Sequence, residues 1–153
     1  MNIRTNQKTR LKSILESISY NSATLPVFIG VKTQTTAYPY VFIVSGDLNP
    51  NKTGETLSDR GTYDRVRSYF VNLVFMNDGT IESINNAEVQ VDQLEQLILD
   101  KIGDEATRND GDEWFDIYCT DVSSPFNGAE ISLEGNTIVK TFIIALETQE
   151  VYD

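Results

Sequence analysis

The chain has 153 residues, 40% hydrophobic and 23% charged, the proportions of one folded domain with enough mass to bury a sound core. A net charge of −11 argues against a free-standing nucleic-acid binder, whose affinity comes from Lys and Arg neutralising phosphates, and against adsorption to an anionic membrane surface. With no histidine and one cysteine, Cys119, a Ser-His-Asp triad, a Cys-His pair, an intrachain disulfide and most zinc sites are excluded.

In chain order, Leu11, Ile14, Leu15 and Ile18 fall at i, i+3, i+4 and i+7. This spacing predicts an amphipathic helix from about Asn6 to Tyr20, capped by Thr5 or Asn6 and closed at Asn21-Ser22. Its leading residues lack the apolar core of a signal peptide, and no apolar run approaches the ~20 residues of a membrane span. Pro26–Val31 reads as a short strand and Thr33–Ala37 as a polar turn. Tyr38–Gly46 reads as a second strand, and its continuously apolar run Tyr40–Val44 predicts cover on both faces. Asp47–Gly61 is a long polar loop with scarce cations at Lys52 and Arg60; a loop of this length in a compact domain is either disordered or used for contacts. Asn51-Lys52-Thr53 matches a glycosylation acceptor, by chance in a chain without an export signal.

Thr62–Asn77 alternates with period two: Tyr69, Val71, Leu73 and Phe75 on one face, Val66, Ser68, Phe70, Asn72 and Val74 on the other. Its first half carries Asp64, Arg65 and Arg67, too polar for a core, so this long strand is expected to leave the body of the domain at its start. Asn77–Gly79 is a turn. Asn85 with Glu88 resembles a capping box for a helix at Asn86–Ile102, whose apolar side is Ala87, Val91, Leu94, Ile98 and Ile102, widened by Leu97. Asp104–Asp112 is a second polar loop. Trp114–Thr120 alternates as a strand with Phe115, Ile117 and Cys119 on the apolar face. After a loop at Ser123–Gly128, Ala129–Leu133 and Ile138–Thr148 form a hairpin about Gly135-Asn136. The expected fold is α+β: one domain, an antiparallel or mixed sheet with two amphipathic helices packed on one face.

No motif dictates a reaction. There is no phosphate-binding glycine loop. Aligning Gly111 with the glycine of a calcium-binding EF-hand loop puts Arg108, Ala106 and Ile117 at ligand positions, so that motif fails. Asp110, Asp112 and Glu113 leave a loose cation site or a solvated loop as alternatives. Asp116 and Asp121 are a carboxylate pair of the type a glycosidase needs, with nothing to distinguish them from surface acids. Cys119, on an apolar strand face without an imidazole partner, reads as a core residue.

Tyr38-Pro39-Tyr40-Val41 with Gly46, the long loop, Tyr69–Phe75 and the helix from Asn86 give an order that resembles the tail terminator (tail completion) proteins of long-tailed bacteriophages. The resemblance covers nearly the whole chain in order and size, through short motifs. It implies a structural virion protein, assembled in the host cytoplasm, without catalytic residues or cofactor. Such a protein forms a homo-hexameric ring that caps the tail tube, ends its elongation and joins a head-side connector. DNA passes through the lumen unbound, which suits an acidic wall. Lys52, Arg60, Arg65 and Arg67 are then the expected cations of the contact between copies, with Asp110, Asp112 and Glu113 among the acids facing them. Two other classes stay open: another connector or tail-tube protein, and a cytoplasmic small-molecule-binding domain or enzyme, which needs a deep pocket with convergent polar groups.

Overall fold

A computed structural model describes residues 3–20, 22–30, 39–48, 62–76, 81–108, 113–122 and 137–151. The fold is α+β. Helices α1 (Ile3–Glu16), α2 (Ile81–Gly103) and the one-turn α3 (Glu105–Arg108) accompany a two-stranded sheet, β1 (Ser19–Tyr20) with β2 (Ala23–Thr24), and a five-stranded mixed sheet. The larger sheet has the order β3 (Val27–Ile29), β4 (Tyr40–Leu48), β5 (Thr62–Met76), β7 (Thr137–Val151), β6 (Asp116–Val122). Only the β3–β4 pair is parallel.

The ladder between β5 and β7 is the longest feature of the sheet. Both strands have 15 residues, and they pair without a register shift from Thr62↔Val151 to Met76↔Thr137. On one face, Tyr69, Val71, Leu73 and Phe75 join Phe142, Ile144 and Leu146 of β7 and Val41 and Ile43 of β4. Leu11, Ile14, Leu15 and Ile18 lie over this surface with Val91, Leu94, Ile98 and Ile102, in one continuous apolar core. Thus the two helical stripes expected from spacing bury against one sheet face, with Phe75 rather than Val74 beneath them. On the other face Val74, Tyr40 and Ala145 are buried but Phe42, Val44 and Phe70 only half-buried, so the apolar run of β4 is less evenly covered than its composition implies.

Several boundaries differ from the sequence reading. Helix α1 starts and ends earlier than Asn6–Tyr20. Thr5 lies inside it, accepting through its carbonyl from Thr9 Oγ1 (2.9 Å). Ser17 N and Ile18 N close the end through the carbonyls of Ile14 and Leu15, so Ile18 enters the core from beyond the helix. Ser22, with φ 64°, takes the left-handed position in the β1–β2 turn. Helix α2 begins at Ile81, which puts Asn85 and Glu88 on its exposed surface instead of at a cap. An exposed Asn costs a helix only about 0.5 kcal/mol, far less than the packed stripe from Val91 to Ile102 returns. Leu97 does not widen that stripe; it is 37% exposed.

The second polar loop contains α3, and after it comes a buried anchor, Trp114, whose Nε1 donates to the Thr107 carbonyl at 2.8 Å. Trp114 precedes β6, so the alternation does not extend to it: Trp114 is buried and Phe115 is exposed, the reverse of the expected facing. Strand β4 runs on through Asp47 and Leu48, and its register shifts between Ser45 and Leu48. Gly46 sits in that irregularity, where a Cβ would come 3.2 Å from Ser68 Cβ and carbonyl oxygen. The expected turns at Thr33–Ala37 and Asn77–Gly79, the rest of the long loop, the loop at Ser123–Gly128, the strand at Ala129–Leu133 and its Gly135-Asn136 turn lie outside the described residues.

Leu94 is fully buried at the centre of the core, whereas Leu97, less than one turn away, is exposed. Leu94→Ala should therefore lower unfolding stability by about 2–5 kcal/mol and Leu97→Ala by about 0.5 kcal/mol or less, read from urea denaturation midpoints.

Candidate functional site

A buried polar constellation lies beneath α1. Gln7 sits four residues before Leu11, on the same stripe, and is fully buried. Its Oε1 accepts from the Tyr69 hydroxyl, and its Nε2 donates to the Glu113 carbonyl at 3.0 Å. The Arg4 guanidinium stands 5.3 Å from the centre of the Tyr69 ring and donates from Nη1 to the Ser68 carbonyl at 3.2 Å. Helix α1, strand β5 and the segment before β6 are thus joined through two buried side chains. Burial pushes the Tyr69 hydroxyl up to about 12, against the opposing pull of Arg4 and Arg67.

This constellation holds no nucleophile, and burial keeps its phenol protonated. Cys119 is half-buried beside the core and its Sγ donates to the Asp121 carbonyl at 3.3 Å. Burial raises its pKa, the opposite of what a reactive thiolate needs. Asp116 and Asp121 do not converge. They stand roughly 15 Å apart along β6, beyond the spacing of a glycosidase pair, and each accepts from the next residue's amide, Ile117 N at 3.0 Å and Val122 N at 2.8 Å. Among the described residues no group of three or more His, Cys, Asp or Glu side chains is placed to hold a metal ion. Likewise no helix among them is long and apolar enough to cross a membrane.

Of the cations and acids expected at a contact between copies, Arg65, Arg67 and Glu113 are among the described residues. Lys52, Arg60, Asp110 and Asp112 lie outside the described residues. Arg65 is half-buried. Arg67 is only 8% exposed and donates from Nη1 to Thr148 Oγ1 at 3.2 Å, across the β5–β7 ladder of its own chain. Glu113 is half-buried, with its carbonyl held by Gln7.

Two surface features remain. The first is a ribbon. Among the described residues β4 pairs with β5 only as far as Leu48↔Arg67, and β6 pairs with β7 only from Asp116↔Glu147, so Thr62–Val66 runs beyond β4 and Thr148–Val151 beyond β6. The second is an open groove of about 720 Å³ between α1 and the edge strand β3, lined by Thr9, Lys12, Glu16 and the segment Pro26–Gly30. The ribbon was legible as a polar overhang of the long strand; the groove and the Gln7–Tyr69 contact had no local signal beyond the position of Gln7 on the apolar stripe. No protein-family model matches the chain, and no curated protein matches it either.

Because the folded state holds Tyr69 protonated up to about pH 12 and the unfolded phenol ionises near 10, its contribution is fully present below pH 10 and is lost as pH rises towards 12. Urea midpoints at pH 8, 10 and 11 should fall more steeply for the parent than for Tyr69→Phe. At pH 8 that variant should be about 1–2 kcal/mol less stable, since Gln7 loses its donor. Cys119→Ser should cost about 1 kcal/mol or less, read from the same denaturation midpoints.

Proposed function

We propose that the chain is a structural subunit of a phage tail, closing into a ring on the end of the tail tube, ending its elongation and offering a joining surface to the head-side connector. The observation that carries this reading is the β5–β7 ribbon. Both strands run to 15 residues, and among the described residues Thr62–Val66 has no partner on the β4 side and Thr148–Val151 none on the β6 side. Main-chain groups left without a flanking strand are a template for a neighbouring chain.

Two further observations agree with this. No described pocket gathers polar groups around a reacting centre, so we assign no catalytic role. The net charge of −11 suits a wall past which DNA slides without sticking. The partners are further copies of the chain, the tube protein and the connector. The location is the virion tail or neck.

Electron microscopy of tail tubes assembled with the protein should show a ring at the tube tip. Asp64→Pro combined with Gln149→Pro removes two main-chain donors at one paired position of the ribbon, outside the core. This variant should keep the parent's folding midpoint within about 1 kcal/mol and yet leave tube ends bare. The reading fails if the variant caps tubes normally, or if tubes grown with the intact protein carry no ring.

A further inference from the structure

The two helices that share one sheet face carry opposite charge. Helix α1 has four bases (Arg4, Lys8, Arg10, Lys12) and one acid (Glu16), a net +3 in a chain whose total is −11. Helix α2 has five acids (Glu82, Glu88, Asp92, Glu95, Asp100) and one base (Lys101), a net −4. They also lie toward opposite edges of the sheet. Helix α1 packs on β3 and β4, and α2 packs on β6 and β5. Since the described strands lie in the order β3-β4-β5-β7-β6, the basic helix flanks the edge strand β3 and the acidic helix the edge strand β6.

The residues on the two flanks are specific. Lys8, Lys12 and Glu16 follow one another at i, i+4 and i+8, and Lys12 and Glu16 line the groove along β3. On α2, Glu88, Asp92 and Glu95 follow at i, i+4 and i+7. Glu95 fixes the direction of that stripe through its ion pair with Lys140 of β7 at 3.1 Å. Lys8, Glu88 and Asp92 make no ion pair or hydrogen bond among the described residues, and Glu88 and Asp92 are exposed. Lys12 pairs with Glu16 at 2.9 Å, but both side chains are more than a third exposed, and such a pair within one helix yields readily to a better partner. Each edge also carries an exposed large apolar residue, Ile29 (44%) on β3 and Phe115 (41%) just before β6.

We infer that the α1/β3 flank of one copy docks on the α2/β6 flank of the next, with Lys8 and Lys12 facing Glu88 and Asp92, and Ile29 and Phe115 buried in the contact. The occupant of each flank is a second copy of this chain. Because the complementary surfaces lie on opposite edges of the same molecule, the contact is head-to-tail. It propagates around a ring instead of stopping at a two-fold dimer. Like charges on either flank oppose the reverse pairing, α1 on α1 or α2 on α2. The inference rests on the ring reading and supplies the surface through which that ring closes.

Sedimentation velocity on the full chain tests it, with Lys8→Glu/Lys12→Glu as one flank variant and Glu88→Lys/Asp92→Lys as the other. The parent should self-associate as concentration rises, and the association should weaken at least tenfold between about 50 and 500 mM salt. Each flank variant should lose at least tenfold in association. A 1:1 mixture of the two, and the chain carrying all four reversals, should regain it. If reversal unfolds the chain, Lys8→Gln/Lys12→Gln and Glu88→Gln/Asp92→Asn keep the comparison, and the loss should then be smaller but of the same sign. The inference is overturned if the parent stays monomeric at low salt, if a folded flank variant associates like the parent, or if the mixture does not recover. Tube capping is scored separately. Flank variants that still form rings on tubes refute the flank contact and leave the ring reading standing. A parent that associates through its flanks yet ignores tube ends refutes the ring reading alone.

Discussion

Pairing of β5 with β7 over their full 15 residues is the constraint from which the rest of the molecule follows. At about 3.4 Å per residue the ladder is roughly 50 Å long, well beyond an ordinary strand. Its middle supplies the central two strands of the sheet. Strand β4 adds to the outer edge of β5 and β6 to the outer edge of β7, and both helices lie on the face that the ladder makes with Tyr69, Val71, Leu73, Phe142 and Ile144. A slip of one residue would turn that row to the opposite face and leave both helical stripes without a partner. The register is therefore set by the core, and the ribbon at the far end inherits its position from it.

The polar groups inside the core do a different job. The Tyr69–Gln7 contact contributes little net stability, because both groups were hydrogen-bonded to water in the unfolded chain. Leaving either one unpaired is costly, so any other placement of α1 across the sheet is disfavoured. The Lys140–Glu95 pair acts similarly for α2, with Lys140 almost wholly buried. These two contacts fix the rotation of each helix about its axis. They thereby decide which charged side chains stand on the flanks of the domain.

The titratable groups and the charged surface of the described residues follow from the same packing. Groups that an enzyme would activate are set the other way: a phenol held protonated, a thiol with raised pKa, two aspartates each tied to its own strand. What the surface offers is a ribbon, a groove beside an edge strand and two helices of opposite sign. The irregularity between Cys119 and Asp121 and the acids of β6 disfavour indiscriminate pairing at this edge of the described sheet.

The sequence alone determined the α+β class, the two helical stripes, the long alternating strand and the absence of a histidine-based site, because period and composition are local properties read without knowing what lies opposite. Leu94, Ile98 and Ile102 could be assigned to a core on spacing alone. Facts that depended on a distant partner were decided by the tertiary structure. Arg67 reads as a surface cation until β7 is laid beside it, and the hydroxyl that holds it, on Thr148, is 81 residues away. Trp114 reads as the outward side of a strand until the Thr107 carbonyl of α3 accepts from its indole and turns it inward. Helix ends moved because packing of the buried stripe outweighs a capping preference of about 1 kcal/mol. The opposite charge of the two helices was present in the chain from the start, but only the strand order β3-β4-β5-β7-β6 places them at opposite edges, where charge becomes direction.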